Sequence, residues 1–435
     1  MRMKWKLLLF LLAVLFALTG CTIGQAGVWK LAPETSPLQN LRSLPQGSGL
    51  DELDLAGLNP QEAEEKIKSW AQDKLEQNLF LVYNETEISS TLDELGITLN
   101  FKKTWEDLWK NPGQKISSTL EIDSVKANRT LQEKLNQFTR AAVDATYKIE
   151  KDQFVVTPAV AGRAMQTDSI LREIQGRSFA SLPKSISVTV VDIPAAVTTE
   201  SLKILAFDGV IGEFTTKFNV NDKNRSANLL AASSKMDKTV LKPGEILSFN
   251  DTIGPRTAET GYKDAYIVIN NEYVQGIGGG ICQVSSTLYS AAVLANLPIV
   301  ERFPHAVAVA YIPLGQDATV NYPNLDLKIR NDTQSMIYIR SEVKSGSLSV
   351  RLYGKKTGNT VRFEQQIDKE TEFDTVRKVD GSLPPGTVVQ DQRGSKGYVV
   401  KTWKIVKDKD GKETKQLLSR DEYAPTKKIL RVGAD

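Results

Sequence analysis

Two side chains suited to thiol chemistry fall within one short block of this 435-residue chain. His305 is its only histidine, and Cys282 is one of two cysteines. Cys282 follows Gly278-Gly279-Gly280 and precedes Gln283, where Val284, Leu288, Ala292 and Ala295 begin to recur at helical spacing. A sulfur at a helix N-terminus faces unpaired backbone N–H groups and the positive end of the dipole, and both favour thiolate over thiol. The same groups, with the three glycines and Gln283, form the expected oxyanion or ligand loop, because glycine permits close backbone approach. His305 is the expected proton carrier, Asp317 the acid that orients it and Asp326 the reserve acid. Arg256, between Pro255 and Thr257, is a candidate fork for a carboxylate. A plain reading of each stays open: a small apolar cysteine in a tight turn, a histidine bonded to a carbonyl, an arginine in a surface salt bridge. Apart from the N-terminal Cys21, no further Cys or His exists to complete a zinc site, so neither metal nor other cofactor is expected.

The elements that must hold these residues follow from local pattern. The helix opened by Cys282 is expected to end at Asn296-Leu297-Pro298. His305 begins an expected strand over 306–312, where Val307, Val309 and Tyr311 alternate with alanines. After the turn Pro313-Leu314-Gly315-Gln316, Asp317 opens a second expected strand, Ala318-Thr319-Val320. Asp326 lies on a third, over 325–329. Cysteine on a helix start, histidine on the next strand and an acid on the strand after is similar to the order in transglutaminase-like and papain-like sites.

Longer motifs surround the pair. They run from Phe214-Thr215-Thr216-Lys217-Phe218-Asn219 through Asn224-Arg225-Ser226-Ala227-Asn228, which opens a helix toward Met236. Next come Leu241-Lys242-Pro243-Gly244-Glu245, Gly254-Pro255-Arg256-Thr257 and the stretch from Gly276 to Tyr289. These segments, in this order over about a third of the chain, resemble the VanW family, named for an accessory protein of vancomycin-resistance clusters. The resemblance implies a cell-wall setting and defines no reaction.

The first residues specify an address. Arg2, Lys4 and Lys6 precede an uncharged apolar run from Leu7 to Leu18, too short for a membrane-spanning helix of about 20 residues. Leu18-Thr19-Gly20-Cys21 resembles the lipobox of bacterial lipoproteins. That implies lipid on the Cys21 sulfur, cleavage after Gly20 and an extracytoplasmic protein anchored to the outer face of the cytoplasmic membrane. With Cys21 lipidated, Cys282 has no internal disulfide partner. The formal charge of +3 equals that of the three leader cations, so the remainder is near neutral and lacks the electrostatic footprint of a nucleic-acid binder. With 41% hydrophobic and 25% charged residues, the chain is globular and long enough for several domains.

The expected organisation is multidomain α+β. Residues 1–20 are the leader, and 21–50, rich in Gly and Pro, a flexible tether. Residues 51–112 form a small α+β module opened by the helix start Asn59-Pro60-Gln61-Glu62. Residues 113–200 form a second, with a helix over 131–142 and a strand over 186–191; this layout resembles the peptidoglycan-binding modules that precede VanW domains. Residues 201–355 are the α+β VanW domain. Residues 360–435 carry short alternating strands between glycine turns, an all-β module similar to a G5 domain. Two functions fit: a non-catalytic protein that binds or scaffolds peptidoglycan, or a thiol hydrolase or transpeptidase acting on its stem peptides. A deep groove over Cys282 favours the second, and an inaccessible sulfur the first.

Overall fold

The structure, a computed structural model, describes residues 42–269 and 272–434. The expected leader, the Cys21 lipid site and the tether as far as residue 41 lie outside the described residues. Among those described, no helix is long and apolar enough to cross a membrane. The chain divides into two units, one reaching Gln137 and resuming over Met165–Val190, the other comprising Phe138–Ala164 and everything from Val191 onward.

The first unit is small and α+β. Asn59 and Glu62 form a reciprocal capping box that starts the helix Pro60–Leu75, whose Ala63, Ile67 and Ala71 are buried. Ala63 and Ile67 pack with Leu44, Leu50, Leu55, Leu108 and Trp109. The end of the expected tether is therefore structured: Leu44 and Leu50 are in this core, and Gly49–Leu50 pairs with Leu53–Asp54 and Lys115–Ile116. A two-residue strand has no periodicity to betray it. Ile97–Leu99 pairs with Leu120–Ile122, so two sheets join residues on either side of the expected module boundary at residue 112. The helix expected over 131–142 runs instead over Ser124–Leu135, because Asp123 caps it earlier by accepting from the N–H groups of Val125 and Lys126. The strand expected over 186–191 is two strands, Ser185–Ser187 and Val190–Ile193, of which the first runs parallel to Asn78–Tyr83.

In the second unit a four-stranded antiparallel sheet sets Gly209–Lys217, Ser347–Gly354, Ile337–Lys344 and Thr239–Leu241 side by side. The helix Ile281–Leu294 lies on it, buried on nearly every side. Gly212 permits this close approach, since a Cβ there would run into the Ala291 carbonyl and Ala295. Gly212→Ala is expected to cost about 1–3 kcal/mol by overpacking. Urea unfolding measures it, and an unchanged midpoint contradicts the contact. The helix Lys223–Met236 covers a neighbouring part of the core through Leu229, Ala232 and Met236.

The C-terminal module is all-β. Thr360–Thr371, Gly397–Lys407 and Glu413–Tyr423 form one antiparallel sheet. Thr426–Gly433 sits in a second, between Thr375–Asp380 and Val388–Ser395. Phe363 and Leu418 of this module pack against the core around the buried helix. The protein as a whole is a multidomain α+β chain with a β-rich C-terminus.

Candidate active site

Cys282 is the second residue of the helix Ile281–Leu294, behind Gly280 at φ 110° and Gly278 at φ 83°. Both backbone conformations favour glycine. Gly279 has a different constraint: a Cβ there would collide with the backbone of Ala265 and Tyr266. The triple glycine therefore shapes a turn that only unsubstituted residues can make.

The helix beyond Cys282 is polar where it faces the next active-site segment. Ser285 Oγ donates to the Ala318 carbonyl at 2.6 Å, Ser286 Oγ accepts from the Ala318 N–H at 2.9 Å, and Ser290 Oγ donates to the Gln316 carbonyl at 3.0 Å. These bonds take up backbone groups of the segment 316–318, and the expected strand over 318–320 does not form; neither does the one over 306–312. Buried backbone groups must find partners, and here serine hydroxyls supply them. Only isolated bridges remain, at Phe303–Thr319 and Val307–Ala424. The third expected strand starts later, at Lys328–Arg330, leaving Asp326 before it. The helix-strand-strand order expected around the three residues is thus replaced by a helix and two irregular segments.

Those segments nevertheless bring Cys282, His305 and Asp317 together. Asp317 is buried, and its Oδ2 accepts from the His305 backbone N–H and sits 2.7 Å from Nδ1 of the ring. That leaves Nε2 facing the cavity, with the Tyr311 hydroxyl 3.4 Å from it and the Cys282 sulfur near enough for the imidazole to lower the thiol's pKa. The Val320 N–H donates to the sulfur at 3.5 Å, and Thr319 Oγ1 lies 3.6 Å from it. Burial pushes the Cys282 thiol up, but the hydrogen bond and charge of His305, helped by Val320 and Thr319, outweigh burial and hold it at about 7. Burial pushes His305 down, yet bonding to Asp317 and Cys282 raises it to about 9. Asp317 is lowered to about 2: burial opposes ionisation, and His305 and Arg302 more than offset it. Near neutral pH the arrangement favours a thiolate–imidazolium pair over a neutral one.

Asp326 is not the histidine's acid. It accepts from Ser248 Oγ at 2.6 Å and from the N–H groups of Asn250 and Leu327 at 2.8 Å each. Its role is to hold the start of the short helix Phe249–Ile253. Gln283 is likewise committed. Its Nε2 donates to Thr216 Oγ1 and the Lys217 carbonyl, and its Oε1 accepts from Arg225, so its side chain is not free to hold an oxyanion.

A cavity of about 780 Å³ opens over the sulfur. Cys282, His305, Arg225, Arg256, Tyr311 and Tyr322 line it, and among the described residues no carboxylate does. Arg256 donates through Nη2 to Asn250 Oδ1 at 2.7 Å and lies over the rings of Phe249 and Tyr322. Its Nη1 is buried with no protein partner among the described residues, and desolvation lowers its pKa. The plain alternative of a surface salt bridge thus fails for Arg256. Arg225, held by Gln283, lies over the Tyr311 ring. Sequence reasoning missed Arg225 and Tyr311 as site residues; the first stands in a quoted motif, and the second was assigned to a strand. It missed also Arg302, whose Nη2 donates to Asp317 Oδ1 at 3.0 Å, and Tyr423, whose hydroxyl donates to the same oxygen at 2.5 Å.

Family models match three consecutive regions: a peptidoglycan binding domain over 82–187, a VanW like protein over 224–353 and a G5 domain over 364–435. YoaR of Bacillus subtilis (strain 168) is 32% identical over 245 residues, 56% of this chain and 80% of that protein. The vancomycin B-type resistance protein VanW of Enterococcus faecalis (strain ATCC 700802 / V583) is 34% identical over 183 residues, 39% of this chain and 66% of its own length. Among solved structures, the IgA1 protease G5 domain is 19% identical, spans 18% of this chain and 93% of that domain, and has a TM-score of 0.13. With these three regions in order and these relatives, the chain is a cell-wall-associated protein and belongs to the VanW family.

Proposed function

We propose that this protein is a cysteine-dependent hydrolase or transpeptidase acting on peptidoglycan stem peptides. The observation that carries the reading is Cys282 and an Asp317-bonded His305 together at the wall of one cavity large enough for a peptide, with the imidazole lowering the thiol's pKa. The Cys282 thiolate attacks the carbonyl carbon of a peptide bond. The resulting oxyanion lies by the glycine loop and the N-terminus of the buried helix, whose backbone N–H groups and dipole stabilise negative charge. The imidazolium of His305 gives its Nε2 proton to the leaving amine, the C–N bond breaks and a thioester remains. His305, now neutral, takes a proton from water or from an acceptor amine as that group attacks the thioester carbon; the C–S bond breaks and the Cys282 thiolate is released beside the imidazolium. Water gives hydrolysis; an amine gives a cross-link.

The substrate carries a carboxylate. Arg256 is the clamp, because it lines the same cavity as Cys282, its Nη1 has no partner among the described residues, and none of those lining the cavity is a carboxylate. Arg256→Ala is expected to raise KM about tenfold or more with a smaller change in kcat, while Arg256→Lys restores part of the loss. Equal KM values for wild type and Arg256→Ala contradict the clamp.

The peptidoglycan binding domain over 82–187 supports retention on the wall beside this reaction. Lipid on Cys21 keeps the protein at the outer face of the cytoplasmic membrane, where new wall is laid down. A purely non-catalytic scaffold needs no thiolate beside an imidazolium at an open cavity, so the geometry favours the enzyme. Incubation of purified muropeptides with wild type and Cys282→Ser, read by mass spectrometry, tests the proposal. New shortened or cross-linked products with wild type alone support it, and identical muropeptide profiles refute it.

A further inference from the structure

Asp317 divides its two oxygens between two tasks. Oδ2 receives both of its bonds from His305, the backbone N–H and the ring Nδ1. Oδ1 receives Arg302 Nη2 and the Tyr423 hydroxyl. Arg302 also donates from Nε to the Asp317 carbonyl at 2.7 Å and from Nη1 to Asp421 at 2.7 Å. Asp421 and Tyr423 both belong to the last strand of the first C-terminal sheet, Glu413–Tyr423.

We propose that the C-terminal β module is part of the catalytic apparatus and that Tyr423 is a positioning residue acting through Asp317; this rests on the thiol mechanism above. Four further observations converge on it. The Ala424 N–H donates to the carbonyl of Ala306, next to His305, at 2.7 Å. The Gly315 N–H donates to the Tyr423 oxygen at 2.8 Å, so one phenol grips both the turn before Asp317 and its side chain. Gly315, at φ 74°, has no room for a Cβ against Thr402 of the same module. Gln365 donates from Nε2 to the Leu314 carbonyl. The segments bearing His305 and Asp317 have almost no ladder of their own, so their geometry is set from outside. Three residues of one strand end, Asp421, Tyr423 and Ala424, supply much of it. Tyr423 is almost fully buried, and burial with the nearby charges of Asp317 and Asp421 raises its pKa, so it stays a proton donor throughout the working range.

The test needs no substrate. In the full chain carrying Cys21→Ser, Cys282 is the one thiol, and its iodoacetamide labelling rate against pH reports its apparent pKa. Tyr423→Phe frees Asp317 to rotate away from the imidazole, which then no longer holds its Nε2 proton toward the sulfur. The thiol pKa is expected to rise by about half to one unit, slowing labelling at pH 6 roughly three- to tenfold. With muropeptides, kcat falls and KM stays. A role through charge alone moves the thiol the other way, because Asp317 stripped of a donor binds the imidazolium more strongly. Ser419→Ala, which removes only the 2.8 Å bond from Ser419 Oγ to Asp421, is the gentler second variant and shifts the thiol in the same direction by less. A folded Tyr423→Phe with the wild-type profile, or a lowered thiol pKa, overturns the proposal. If Tyr423→Phe does not fold, an unchanged profile in Ser419→Ala overturns it. Native wild-type thiol that labels only in denaturant overturns the mechanism and this proposal together. Wild-type labelling near pH 7 with unmoved variants sinks the positioning role alone.

Discussion

Cys282→Ala is expected to cut turnover of stem peptides by about ten-thousand-fold or more while leaving the protein folded and able to bind peptidoglycan. The methyl group it leaves at the helix start disturbs little of the core, because Cys282 is only partly buried at its edge. The loss is chemical: no other side chain in the cavity combines nucleophile and bonded imidazole. The wild-type pH profile follows from the same pair. With the thiol near 7 and the imidazole near 9, turnover is bell-shaped and highest between about pH 7 and 9. Below that window the nucleophile is protonated, and above it the leaving amine has no proton donor. A profile with no acid limb between pH 6 and 8 contradicts the assignment.

Asp317→Asn is expected to reduce kcat by two to four orders of magnitude, as when the acid of a Ser-His-Asp site becomes an amide that no longer fixes the imidazole tautomer. A stability cost accompanies it. Arg302 loses one buried carboxylate but keeps Asp421, so the cost is about 1–3 kcal/mol, less than that of orphaning the guanidinium altogether. Its pH dependence has a definite sign. The Asp317 pKa is lowered to about 2, so its stabilisation is complete above an unfolded value of about 3.9 and is lost as pH falls toward 2. His305, raised to about 9, contributes fully below about 6.5 and loses its contribution as pH rises through 9. The variant therefore unfolds more nearly independently of pH between 4 and 2 than wild type. Thermal unfolding across that range measures the difference; parallel curves contradict the network.

What was legible in the residues was local chemistry. Three glycines before a cysteine and a helical run after it locate a helix N-terminus, because each signal lies within one turn of the sulfur. The cap at Asn59-Pro60 is readable for the same reason. The surroundings of His305 and Asp317 were not. Val307, Val309 and Tyr311 alternate as a strand would, yet Val307 is buried beside Ala424 while Val309 and Tyr311 line the cavity. Their alternation reflects two different environments with no neighbouring strand, and period alone does not distinguish these cases. Asp317 and Asp326 look alike in sequence. Only the fold shows that one faces the imidazole and the other braces Ser248 and Asn250 at the start of Phe249–Ile253. Tyr423 lies 106 residues beyond Asp317, in a module with its own internal pattern, so no spacing rule connects them.

Capture of the covalent intermediate is the most direct test. Muropeptides are mixed with the Cys21→Ser chain, the reaction is stopped in acid to preserve thioesters, and intact-mass and peptide mass spectrometry locate any adduct. The account predicts a stem-peptide acyl group on Cys282, absent from Cys282→Ser and accumulating in wild type before product. Turnover that persists in Cys282→Ser, or a native Cys282 that takes up neither acyl group nor iodoacetamide, contradicts it.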